Sequence, residues 1–142
     1  MDQNMLFQKF VAFTAAVHQI TYDMTKGVKS EMITPVQYKI VEYLAVSQPV
    51  TLSEISECLH MSMPNTSREL KKLTEKQLCE KVADEEDRRK QYIRLSPKGK
   101  AMMHEAFGQI ETRFVERIQQ LSAEELKDIE AALDLLHNKV LY

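Results

Sequence analysis

Over residues 4–30 the apolar positions fall at Leu6, Phe10, Phe13, Val17, Ile20 and Met24. Steps of four and three residues in alternation mark one stripe of a helix. The rhythm returns towards the other end, first at Met103, Phe107, Ile110, Phe114, Ile118 and Leu121, then at Leu126, Ile129, Leu133, Leu136 and Val140. Ser96-Pro97 opens the first of these two helices, and Ser122 with Glu125 three residues later forms a capping box for the second. Between the long stripes the periods shorten. Thr34-Pro35 starts a helix whose buried face is Val36, Ile40, Val41 and Leu44, and Gln48-Pro49 closes it. Val50-Thr51 has the length of a single bridging strand. Thr51 or Ser53 caps a short helix carrying Leu52, Ile55, Ser56 and Leu59, and His60-Met61-Ser62 makes a turn. A fourth helix starts near Met63-Pro64, capped by Ser62 or Met63, and ends around Lys76-Gln77. It turns Leu70, Leu73 and Thr66 inward. Residues 78–82 and 91–95 read as two strands, the second with Ile93 and Leu95 alternating against Tyr92 and Arg94.

Helix, short helix, turn, helix and hairpin make a winged helix-turn-helix. The predicted fold is mainly α with a small β-hairpin wing, one compact domain in three parts. Residues 1–33 form an N-terminal dimerisation helix, 34–96 the winged unit, and 97–142 two C-terminal dimerisation helices. The long stripes offer more apolar surface than a unit of about 60 residues can cover, so a symmetric homodimer through the termini is expected.

Composition narrows the class. A chain of 142 residues with 44% apolar content can build one core, and three glycines with abundant Leu, Met, Glu and Lys favour helices. No apolar run approaches the roughly 20 residues that span a bilayer, so no membrane partner is expected. The N-terminal MDQNMLFQKF lacks the pattern of a secretory signal, which points to the cytoplasm. Cys58 and Cys79 have no CxxC spacing and read as small buried or half-buried thiols. His18, His60, His104 and His137 show no metal-ligand spacing, and nothing calls for a cofactor.

A net charge of −2 does not advertise a nucleic-acid binder, but the charge is locally segregated. Residues 84–90 read DEEDRRK, acids first and bases second, and residues 51–96 hold nine Lys/Arg against nine Asp/Glu. Arg88, Arg89, Lys90 and Arg94 have no acid among them, while Arg68, Lys71 and Lys72 are opposed by Glu69 alone.

These residues resemble the multiple-antibiotic-resistance regulator (MarR) family of bacterial transcription factors. The resemblance runs from Thr34 to Gly99 and more loosely over the whole chain. Its anchors are Thr34-Pro35-Val36-Gln37-Tyr38, the helix-turn-helix TLSEISECLHMSMPNTSRELKKLTEKQL, and Asp87-Arg88-Arg89 followed by Leu95-Ser96. The last matches the family's wing signature, with Ser in place of Thr. The resemblance implies an obligate homodimer without enzymatic activity that binds pseudo-palindromic operators, often under control of small ligands or oxidants. Gln77 and His60 stand where the family usually or often has glycine. A left-handed conformation costs a non-glycine residue about 1 kcal/mol, and His tolerates it better than most.

The fourth helix would enter the major groove of double-stranded DNA, with Ser62, Asn65, Thr66, Ser67 and Arg68 towards base edges. Asn65 suits adenine; Arg68 suits guanine or a phosphate equally well, and Thr66 partly faces the core. Lys71 and Lys72 sit near phosphates or form a solvated face. Thr51 and Ser53 offer hydroxyls to a phosphate, or simply cap their helix. At the hairpin tip Arg88, Arg89 and Lys90 would approach the minor groove, with Arg89 inserting. Asp87 would pair with a neighbouring Arg and stabilise the wing, and Asp84 to Glu86 would face away from DNA. For a small-molecule effector, His18, Tyr22 and Tyr43 are candidate polar groups in a cleft between dimerisation helices and winged unit, although each is as readily packed or exposed. No cysteine precedes Cys58, which argues against peroxide sensing through an N-terminal thiol.

The expected function is therefore a dimeric, sequence-specific DNA-binding transcriptional regulator, a repressor relieved by a small-molecule effector. The near-neutral balance of residues 51–96 leaves open a winged-helix protein-interaction module that does not bind DNA. An enzyme is the weakest reading: no Ser-His-Asp order, Gly-rich phosphate loop or clustered acid pair is present.

Overall fold

The computed structural model describes residues 2–28 and 32–142. Six helices and one hairpin follow in order: α1 (Gln3–Thr25), α2 (Pro35–Ser47), α3 (Leu52–Leu59), α4 (Met63–Glu75), β1 (Cys79–Ala83), β2 (Gln91–Leu95), α5 (Pro97–Ile118) and α6 (Ala123–Lys139). α1 ends at Thr25, short of the expected extension, whose end at Ser30 lies outside the described residues.

The boundaries have local causes. Thr34 and Gln37 form a reciprocal capping box on α2, a Thr-x-x-Gln signal as legible as the Ser122–Glu125 box on α6. Thr51 caps α3, Ser62 caps α4 and Ser96 caps α5, each accepting a backbone N–H from the first turn. His60 (φ 53°) and Gln77 (φ 64°) both take the left-handed conformation as the chain leaves α3 and α4. These are the two positions where the resembled family usually or often has glycine, so the turns keep their geometry and carry the strain.

β1 and β2 pair antiparallel, Cys79 opposite Leu95 through Ala83 opposite Gln91, which leaves the charged run 84–90 as the hairpin tip. Val50 bridges to Ile93 as the short strand expected there. The core gathers Ile40, Val41 and Leu44 of α2, Ile55 of α3, Leu70 and Leu73 of α4, Leu78, Ile93, Leu95 and Met103. One residue departs from its expected place. Val36 is 42% exposed, and Gln37 beside it is buried. Gln37 tolerates burial because its amide is fully engaged: the carbonyl accepts from Thr34 N at 3.2 Å and Lys76 Nζ at 2.9 Å, and Nε2 donates to Glu69 at 3.0 Å.

α5 ties the winged unit to the terminal helices. Ser96 accepts from Gly99 N at 3.0 Å while its own hydroxyl donates to the Gln77 carbonyl. Gly99 sits so close to Leu78 that a Cβ there would collide with the Leu78 carbonyl oxygen. Met103 and Ala106 then seal the core. Further along α5 the stripe loses its cover, and Phe114 is 43% exposed. α1 and α6 bury no residue at all. Arg113 of α5 caps the far end of α1, donating to the carbonyls of Met24 at 2.8 Å and Lys26 at 2.6 Å.

Candidate nucleic-acid interface

α4 splits into two faces. Thr66, Leu70 and Leu73 point into the core, while Ser62, Asn65, Ser67, Arg68, Lys71 and Lys72 are exposed. Thr66 therefore leaves the expected set of base-facing side chains. It is fully buried, donating to Ser62 O at 2.8 Å and accepting from Ser56 Oγ at 3.0 Å, and this hydroxyl pair locks α4 against α3. Ser62 keeps a double duty: its Oγ caps α4 through Asn65 N at 3.2 Å while the side chain stays exposed.

Glu69 holds α4 to α2. It accepts from Gln37 and lies 3.5 Å from Lys72. The Gln37 amide, helped by the Lys72 and Arg68 charges, holds its carboxyl below the usual Glu range. Lys76 extends the link, donating to Met32 O at 2.6 Å and to Gln37. Gln37 and Lys76 escaped the sequence reading because partners 39 positions apart leave no local signal, whereas the capping box itself was there to be read.

At the hairpin tip Asp87 faces Arg89. Its Oδ1 accepts from Arg89 N at 3.0 Å and Arg89 Nε at 3.3 Å, forming a tight local turn. Asp84 N closes the loop on Lys90 O at 3.0 Å. Arg88, Arg89 and Lys90 are exposed, and the Arg89 side chain keeps 93% of its surface open. Arg94 is engaged across the strands with Glu80 at 2.8 Å.

A small cleft of about 70 Å³ lined by Leu52, Ser67, Leu70, Lys81, Gln91 and Ile93 shows that the start of α3, the flank of α4 and both wing strands meet at one surface. Lys81, an exposed cation on β1, joins that surface. It went unnoticed because it stands outside both basic clusters. At the head of α3, Ser53 is exposed, but the Thr51 hydroxyl is committed to its cap and contacts Glu54 Oε1 at 3.2 Å. The Glu54 carboxylate occupies the helix end that a phosphate would seek, which weakens the phosphate role foreseen for Thr51.

The residues foreseen for an effector do not converge. His18 and Tyr22 are exposed on α1, and Tyr43 lines a shallow cleft against Cys58 and Leu59. A separate cleft of about 340 Å³ opens between α2 and α5, walled by Val28, Met32, Ile33, Tyr38, Met102 and Met103 with Lys98, Glu105 and Gln109 at its edge. Burial, and the Glu42 carboxylate it hydrogen-bonds, push the Tyr38 phenol up to about 12. Cys58 is exposed rather than shielded, because it lies on the outer side of α3; Cys79 is buried, and burial pushes its thiol up to about 12. Among the described residues no group of three or more His, Cys, Asp or Glu could hold a metal ion, and no helix is long and apolar enough to cross a membrane.

With this geometry established, likeness to known proteins becomes informative. No curated protein matches the chain. A MarR family protein from Bacillus stearothermophilus shares 19% identity and a TM-score of 0.82, covering 100% of this chain and 99% of its own. A variant of S. aureus MepR bound to an oligodeoxyribonucleotide matches at 22% identity and TM-score 0.59, over 93% of this chain and 97% of its own. S. aureus MepR bound to ethidium bromide matches at 22% and 0.66, over 99% and 97%. These likenesses show a shared fold. The model of the MarR family matches residues 33–90, the stretch that holds the capped α2, the helix-turn-helix and the basic wing tip. Over that segment the chain matches the MarR family.

Proposed function

We propose that this protein is a homodimeric transcriptional regulator that binds a pseudo-palindromic operator and represses from it until a small molecule releases it. The observation that carries the reading is the common surface where the start of α3 and the Ser67 flank of α4 meet the two wing strands, whose connecting tip carries three exposed cations. Small polar side chains and an Arg on a helix tip suit major-groove edges, and an exposed cationic finger suits the minor groove. Asn65 reads adenine, Arg68 guanine or phosphate, and Ser62 and Ser67 assist. Arg89 enters the minor groove with Arg88 and Lys90 beside it, and Lys71, Lys72 and Lys81 neutralise phosphates. The DNA bound by the MepR variant of the same fold supports this assignment.

Dimerisation follows from the bare stripes of α1 and α6: Leu6, Phe13, Val17, Leu133 and Val140 are all more than 40% exposed in the single chain. A second copy covers such faces symmetrically. For the effector, the cleft around Tyr38 and Met102 fits a flat apolar molecule, and MepR holding ethidium bromide gives that choice a precedent.

The test is selection of bound duplexes from random DNA by the purified protein. The expected result is a palindrome with half-site centres about 10 bp apart. Affinity should fall with salt by about 0.9 log units per log unit of salt for each phosphate neutralised. Retention of no duplex above an uncharged control would reject the proposal.

A further inference from the structure

We infer that Met63 reads the C5-methyl group of a thymine in each half-site, an apolar contact beside the polar readout of α4. The inference rests on the reading that α4 lies in the major groove. Between Val46 and Phe114 Met63 is the sole exposed large apolar side chain among the described residues, at 46% exposure. It precedes the buried Thr66 by three residues, so helix periodicity alone would turn it inward. It stays exposed because it occupies the first position of α4, past the rim of the core.

Two features fix its direction. Helical side chains lean towards the N-terminus, so this half-exposed chain lies at the helix tip, where a groove-inserted helix meets base edges. Its sulfur rests 3.2 Å from Ser56 Oγ, whose single proton it shares with Leu52 O and Thr66 Oγ1, and this contact against α3 anchors the side chain rather than leaving it to sweep through solvent. In the major groove the one apolar group that a base edge presents is the thymine methyl. Asn65 lies two positions on, exposed and suited to adenine, so the pair would read A·T base pairs from both strands.

The experiment uses a duplex recovered by selection from random DNA and replaces each thymine of the half-site by uracil, which removes nothing but the methyl. For the wild-type chain one such position should weaken binding about fourfold, and about fifteen-fold when both half-sites are changed. In Met63→Ala the penalty should vanish, while Met63→Leu should retain it. The residue is half exposed, and Ser56 keeps Leu52 O and Thr66 as partners, so both variants should fold. If no uracil substitution weakens wild-type binding, or if the penalty persists in Met63→Ala, the inference is wrong while DNA binding stands. Failure to select any duplex overturns the inference together with the reading beneath it.

Discussion

The winged unit and the terminal helices are written in the same apolar rhythm and meet opposite fates. α2, with 13 residues, buries five of them; α1, with 23 residues and an equally regular stripe, buries none. α5 shows both outcomes along one helix, sealed at Gly99, Met103 and Ala106 and bare at Phe114. Periodicity states that a face wants cover. What covers it depends on whether the chain itself supplies a surface at that place, and here it does so only between Val28 and Ala106.

The comparison breaks most readily at its extremes. Leu44→Ala empties a fully buried site and should cost about 3 kcal/mol in urea unfolding. Leu133→Lys, at a residue 56% exposed, should instead halve the particle mass in sedimentation and abolish tight operator binding. A Leu133→Lys protein that sediments like the wild type would show that the terminal stripes are not an interface.

Gly99→Ala probes the seam between the two regions. The new methyl meets the Leu78 carbonyl, and the variant should lose about 2 kcal/mol through forced displacement of α5. A smaller contrast lies within α4. Asn65→Ala should leave stability within about 0.5 kcal/mol and remove about 1–3 kcal/mol of discrimination at one base pair. Thr66→Val should do the reverse, destabilising by about 1–2 kcal/mol through loss of the hydrogen bonds that its hydroxyl makes with Ser62 O and Ser56 Oγ.

Glu69 gives the comparison a pH dependence. Its folded pKa lies below the ordinary 4.5, first because Gln37 donates to it. The group therefore stabilises the fold fully above 4.5 and loses that contribution as pH falls through the lower folded value. Glu69→Gln should flatten the acid limb of a stability–pH profile. The smallest expected change is a gain: Gln77→Gly relieves a left-handed residue and should add up to about 1 kcal/mol, read as a higher melting temperature.

Local rules made most of this fold legible. Caps at Thr34, Thr51, Ser62, Ser96 and Ser122 and the alternation along β2 place the elements after α1 to within a few residues. The wing tip was legible for the same reason, since seven consecutive charges cannot be buried. What escaped depends on distant contacts. Gln37 displaced Val36 from the core because Lys76 and Glu69, far along the chain, satisfy its amide. Thr66 left the groove face because Ser56 pairs with it across a turn. The cleft beside Tyr38 forms between α2 and α5, about 60 residues apart, and no window along the chain could show it.

The Arg113 clasp has a kinetic consequence. Because a guanidinium of the same chain holds the end of α1 through its last carbonyls, α1 and α5 are already set at a fixed angle in an isolated chain. In the proposed dimer, two chains would dock as shaped bodies, without folding α1 during the encounter. Cutting the clasp with Arg113→Ala would then slow the assembly step far more than it loosens the assembled pair.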